Sequence, residues 1–417
     1  MEPNVPRGQN TLDRVTPSAH LLFQRACALH ESGDLEQAKS LCWATLKQQP
    51  KHVEALNRLG TIVGQLGDLP FAVQVFRQAL LIDPTHVTAT YNRGIALYNL
   101  RRFDAALLHY DRVIELMPDC SDAHFSRGNV LRDLGRLQPA RASFEQALAL
   151  RHDNVECLVN LGNVLRELGL TDAALDSFDR AIELRPDFAE AHCNRAHALL
   201  LGGDFDRGWL EYEWRRKNPT SPLRKDAREF SQPLWLGEQP IAGLTLMLHS
   251  EQGLGDTLQF CRYAKRVSEL GARVILEVPS PLVTLLQDLA GVSQIIARGA
   301  QIPPFDYHCS LMSLPRALRT SIATIPNHVP YLCSNSERRR AVMSALAAAF
   351  RQRGVPDRAA SLAAQVGMAA LGHAVAAWFE SGSTALGAHV EQAFIELRDL
   401  SIFAPKSGSE TEALRQA

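Results

Sequence analysis

Small residues return every 34 positions through the first half of the chain. Gly60, Gly94, Gly128 and Gly162 mark the period, and Ala26 and Ala196 hold its register at either end. Ala38, Ala72, Ala106, Ala140, Ala174 and Gly208 form a second small series. Gly33, Gly67, Gly135, Gly169 and Gly203 form a turn series that Arg101 interrupts. Large knobs recur at Phe76, Tyr110, Phe144, Phe178 and Tyr212, with the smaller Cys42 in the first copy, and Pro50, Pro84, Pro118 and Pro186 close the units. A unit of this length whose two helices cross where a side chain is tiny can bury its apolar face only by stacking on its neighbours. Six copies are predicted from about 19 to 222. Their closing prolines give way to His152 and Thr220, which predicts local loosening and an atypical last copy.

The length, the small positions, the aromatic knob and the terminal proline together resemble the tetratricopeptide repeat, which implies an α-solenoid whose concave groove holds a peptide or a partner's helix. Asn92, Asn160 and Asn194 share one register of the first helices, and Asn129 and Asn163 lie three residues further on the same face. Asparagine is a poor helix former, so its recurrence calls for a reason. A carboxamide can donate to and accept from an extended backbone at once. These five resemble the asparagine ladder in the repeats of protein O-linked N-acetylglucosamine transferases. Hydrogen bonding between neighbouring repeats is the alternative reading. Arg25, Arg93, Arg127 and Arg195 share another register, where packed stems and guanidinium groups at the rim are expected.

Charge bears on the choice of partner. With 44 Lys plus Arg against 45 Asp plus Glu, no global field favours nucleic acid or a lipid surface. No apolar run reaches the ~18 residues that span a bilayer, and the opening MEPNVPRGQN has no apolar signal core, so a cytoplasmic location is expected. The eight cysteines are scattered without a C-x-x-C pair, which argues against a disulfide framework or a zinc site. No metal and no cofactor are expected.

Helical periodicity ends in KNPTSPLRKDAREFSQP, and a linker is placed at 223–232. Arg215, Arg216 and Lys217 before it are expected to form a solvated helix end. Beyond it, GLTLMLHS, ARVILEV, SQIIARG and FDYHCSLMSLP read as strands, with helical stretches TLQFCRYAKRVSELG and 281–289 between them, which is the pattern of half an open α/β sheet over 233–332. In HSEQGLGDTLQF, Gly253 and Gly255 permit tight backbone before a helix expected from about Thr257. Asp256 stands where an N-cap would.

The stretch from PLWLGE through HSEQGLGDTLQF to IPNHVPYL resembles the first half of the bacterial glycosyltransferases that follow tetratricopeptide repeats, distant relatives of heptosyltransferases. The resemblance implies a Rossmann-like half of a GT-B fold. It casts Asp256 as the base that deprotonates an acceptor hydroxyl, with His249, Glu251, Gln252, Gly253 and Gly255 bordering the acceptor or nucleotide-sugar loop. It ends at Leu332, and too few residues follow for a second half built of strand–helix units of ~30 residues each. Those that do follow, at 333–402, are Ala-rich and read as an all-α tail, faintly similar to the ligand-binding domain of tetracycline-repressor-type regulators with Trp378 and Phe394 as anchors. The tail either covers the half-sheet or pairs two chains as a homodimer. Residues 1–18 and 403–417 read as disordered. The function expected is a protein-interaction scaffold carrying an incomplete glycosyltransferase-like domain. The alternative is a glycosyltransferase that modifies a repeat-bound protein.

Overall fold

The computed structural model describes residues 17–218, 230–327, 332 and 351. These fall into two compact units, one made of the stretches up to residue 263 with 270–272 and 303–326, the other of 264–269, 273–302 and the described residues beyond 326. The expectations for the tail, including Trp378 and Phe394, and for most of the linker lie outside the described residues.

Twelve helices open the first unit as six hairpins. They are α1 (Ala19–Glu31) with α2 (Leu35–Gln48), α3 (Val53–Gln65) with α4 (Leu69–Ile82), and α5 (Val87–Asn99) with α6 (Phe103–Leu116). Then come α7 (Ser121–Asp133) with α8 (Leu137–Leu150), α9 (Val155–Glu167) with α10 (Thr171–Leu184), and α11 (Ala189–Leu201) with α12 (Phe205–Tyr212). The hairpin turns share one set of bonds. In the first, Gly33 adopts φ +87, its N–H donates to the His30 carbonyl at 3.1 Å, and the Asp34 N–H donates to Leu29 at 2.9 Å. This closes α1 with the left-handed cap that glycine favours. The Asp34 carboxylate then accepts from the Gln37 N–H at 3.1 Å and opens α2. Arg101 takes the same left-handed position with φ +60, and its guanidinium lies 5.1 Å from the Phe103 ring centroid.

The knob series accounts for the small series. A Cβ added to Gly60, Gly128 or Gly162 would stand 2.6, 2.5 and 2.5 Å from Cε1 of Phe76, Phe144 and Phe178, and one on Gly94 would stand 2.8 Å from Tyr110. Where alanine replaces the glycine, at Ala26, the knob shrinks to Cys42, and both are fully buried. Volume is thus conserved across the crossing in the first five hairpins, whereas the last keeps the large Tyr212 in register with Ala196. The last hairpin is the atypical one: α12 stops after eight residues and a 3-10 turn, Glu213–Arg216, continues it. The loosening expected at His152 does not occur. The α8–α9 connection is as short as those bearing proline, because the buried Asn154 caps α9 by accepting from the Cys157 N–H at 3.0 Å. Consecutive first helices (α1, α3, α5, α7, α9, α11) pack against one another while consecutive second helices make little contact, so the first helices form the inner face.

The C-terminal part carries a small parallel sheet, with strands where the apolar runs predict them. In the first unit β1 (Thr245–His249) pairs in parallel with β4 (Tyr307–Ser310), Leu246 opposite Tyr307 and His249 opposite Ser310. In the second unit β2 (Arg273–Val278) pairs in parallel with β3 (Gln294–Ala297) and α15 (Ser280–Leu286) connects them. The single helix expected after the glycine loop is two short ones, α13 (Leu254–Phe260) and α14 (Tyr263–Glu269).

Candidate functional site

The five asparagines fall on the inner helices α5, α7, α9 and α11. Asn92 donates through Nδ2 to Asn57 Oδ1 at 3.1 Å and to Thr61 Oγ1 at 3.3 Å in the preceding repeat. Asn160 donates to Asn129 Oδ1 at 2.8 Å and accepts from Arg132 Nη1 at 2.9 Å. These bonds tie neighbouring repeats together. Asn163 differs: its Oδ1 is buried and has no hydrogen-bond partner among the described residues. A buried carboxamide oxygen left unpaired costs roughly 1–3 kcal/mol. Beside Asn92, a cleft of about 310 Å³ lies between α3, α4 and α5, lined also by Thr61, Gly64, Leu69, Phe76 and Ile95.

The arginine register turns the other way, between second helices. Arg127 meets Asp111 of the preceding repeat at 2.7 Å and Ser143 of its own at 2.7 Å. One face of Arg195 is held by Asp179 and the other by Glu211, at 2.5 and 2.8 Å. For Arg127 and Arg195 the rim position expected is therefore an ion-paired one. Arg93 breaks the pattern, because Arg77 and His109 stand where its register-mates have a carboxylate or a hydroxyl. Burial, and then Arg93, push the His109 imidazole down to about 4. An unfolded histidine titrates near 6.5, so between these values the unfolded chain binds the extra proton; stability is full above about pH 6.5 and falls toward about pH 4. Replacing His109 with Gln should flatten that part of the profile. Urea midpoints at about pH 7 and about pH 5 measure it, and an unchanged difference between them would exclude His109 as the cause.

The loop after β1 is held from the repeat side. Arg215, expected at a solvated helix end, is only 4% exposed. Its Nη2 pairs with Glu251 at 2.9 Å and donates to Ser313 Oγ at 2.7 Å, and its Nη1 pairs with Glu213 at 2.9 Å. Arg216 reaches Glu251 at 3.3 Å, and Lys217 places its ammonium 4.1 Å from the Trp214 ring centroid. Gln252 donates to the Tyr212 hydroxyl at 3.2 Å. His249 Nε2 lies 3.3 Å from His308 Nδ1, with the Phe230 ring against both imidazoles. Burial, and then Arg216, lower the pKa of His308.

Gly253 is the N-cap of α13, with φ −65, and Asp256 lies inside the first turn rather than at the cap. Gly255 is helical, and a Cβ there would meet no atom within 4 Å. The backbone of the loop itself therefore requires neither glycine. Among the described residues no group of three or more His, Cys, Asp or Glu could hold a metal ion. Nor is any described helix long and apolar enough to cross a membrane. Sequence reasoning missed Arg215, Glu213 and Ser313, whose contacts with one another and with Glu251 join distant segments and leave no local pattern.

Stacked helical hairpins with an inner face of first helices define a helical-repeat solenoid. Its repeats are tetratricopeptide repeats: one tetratricopeptide repeat model matches residues 23–87 and 91–154, and a second, described as a TPR repeat, matches 162–203. Among solved structures, MamA is 24% identical over 39% of this chain and 94% of its own, with a TM-score of 0.37. PilF of Pseudomonas aeruginosa is 19% identical over 49% of this chain and 93% of its own, with a TM-score of 0.44. YrrB, described as a TPR protein with an unusual peptide-binding site, is 17% identical over 45% and 98%, with a TM-score of 0.39. No curated protein matches this chain.

Proposed function

We propose that the chain is a protein-interaction scaffold that holds an extended peptide along the inner face of its repeats. One observation carries this reading: on α9, one of the first helices, Asn163 keeps a buried carboxamide oxygen with no hydrogen-bond partner among the described residues. Asn160, next to it, is already satisfied by Asn129 and Arg132. A backbone N–H from a bound peptide would pair the Asn163 oxygen, and Asn92, Asn129 and Asn194 would continue the contact along the helices. A peptide selected on the full chain from a random display library supplies the probe. With Asn163→Ala, binding should weaken about tenfold while the melting temperature holds or rises, because an unpaired polar group is removed. Asn160→Ala should instead lower the melting temperature. Unaltered peptide affinity in Asn163→Ala would refute a role for this ladder.

The second reading is a Rossmann-like half of a GT-B glycosyltransferase, with Asp256 as general base and a nucleotide sugar as donor. It is supported by the parallel pairing of β1 with β4 and by the open space above Gly255. Two of its pocket residues, Glu251 and Gln252, are engaged by Arg215 and Tyr212. The inner-face reading is therefore preferred. Calorimetric titration with uridine, guanosine and adenosine diphosphate sugars separates the two: saturable binding abolished by Asp256→Asn would establish the glycosyltransferase-like site.

A further inference from the structure

Among the described residues Arg93 is a cation without a counter-ion, at a position where the solenoid twice supplies one. At the equivalent positions one and three repeats on, Arg127 and Arg195 are ion-paired with carboxylates from the flanking second helices, Asp111 for one and Asp179 and Glu211 for the other. The same two flanking positions around Arg93 hold Arg77 and His109. Burial, and then Arg77, lower the Arg93 pKa, with no carboxylate acting against them. Its Nε is buried without a hydrogen-bond partner among the described residues, as is that of Arg195; what sets Arg93 apart is that both flanking positions lack a carboxylate. The nearby acids have other work: Asp111 pairs with Arg127, and Glu115 pairs with Arg112 at 2.9 Å.

Around Arg127 this geometry makes a cleft of about 470 Å³ between α6 and α8, lined also by Asp111, Glu115, Ala142 and Ser143. One repeat earlier, between α4 and α6, the residues in register with Glu115 and Ala142 are Leu81 and Leu108, which are 65% and 71% exposed. Two arginines beside exposed leucines therefore stand where the next repeat has an arginine paired with a carboxylate. Two unpaired guanidinium groups favour a planar carboxylate that can accept from both, and exposed leucines gain from an apolar neighbour beside it.

We infer that the outer surface between α4 and α6 is a second docking surface, which takes an acidic peptide segment of a partner protein, a carboxylate on Arg93 and Arg77 and an apolar side chain on Leu81 and Leu108. It lies on a different helix face from the asparagines and does not depend on the inner groove binding anything.

Fluorescence anisotropy on the full chain tests it with a short labelled peptide carrying two glutamates flanked by leucines, and with its glutamine counterpart. The glutamate peptide should bind at least about tenfold more tightly than the glutamine one. Arg93→Gln, Arg77→Asp and Leu108→Ser should each weaken it severalfold, while Asn163→Ala leaves it unchanged. Arg77→Asp places a carboxylate where Asp111 stands beside Arg127, so it should also raise the melting temperature as it removes binding. Should Arg93→Gln fail to fold, the exposed Arg77 and Leu108 still decide. Equal affinity for the two peptides, wild-type affinity in Arg77→Asp, or displacement by inorganic phosphate or duplex DNA as readily as by unlabelled peptide would each overturn the assignment.

Discussion

Gly162→Ala is expected to destabilise the chain by about 2–3 kcal/mol, although alanine is the better helix former by roughly 1 kcal/mol. The added methyl would stand 2.5 Å from Phe178 Cε1, and that ring is fully buried with nowhere to retreat. The first hairpin shows how the fold accommodates such a methyl, since Ala26 faces Cys42 there. Gly162→Ala combined with Phe178→Cys should therefore lose less than the sum of the two single changes. A double-mutant cycle by urea denaturation gives the coupling directly. Additive losses would mean that the 34-residue series of small residues is not set by the knob opposite it.

The second large effect is expected at Arg215. Replacing it with Met removes a guanidinium that serves Glu213, Glu251 and Ser313 at once. The two carboxylates, each with a side chain 13% exposed, would then keep Arg216 as their cation, with Ser313 Oγ still donating to Glu213 at 2.8 Å. Breaking one side of a buried pair typically costs about 3–5 kcal/mol, because the charge left behind is neither hydrated nor paired. The loss should persist in high salt, which screens exposed pairs but reaches buried ones poorly. Adding Glu251→Leu should recover part of it. A loss below about 1 kcal/mol would place the cluster with ordinary surface ion pairs. The cluster joins the 3-10 turn after the last repeat to the loop after β1, so the change should also loosen residues 249–253, read as faster amide exchange there.

The repeats were legible because each small residue answers a knob a fixed number of positions away. Gly60 and Phe76, or Gly162 and Phe178, are sixteen apart in every copy, so a contact in space is also a pattern in sequence. The strands were legible for a similar reason: Leu246, Met247 and Leu248 form an unbroken buried run. Arg215 was not legible. A basic pair next to a linker has the look of a solvated helix end, and only the approach of Glu251 and Ser313, far along the chain, shows that it is buried. Asp256 was misplaced by one turn because the glycines before it hid the start of α13 at Leu254. The asparagines stood between, since their register could be read while their partners could not. Asn92 and Asn160 turn out to bridge repeats, and Asn163 alone among the three keeps a buried oxygen unpartnered within the described residues.

Amide hydrogen exchange on the full chain, with and without the selected peptide and separately with a nucleotide sugar, most directly tests whether the inner face of the repeats is the working surface. Slowed exchange along α5, α7, α9 and α11 on adding peptide, with residues 249–257 unchanged by the sugar, is the expected result. Protection of 249–257 by the sugar, with no change in those helices on adding peptide, would contradict it.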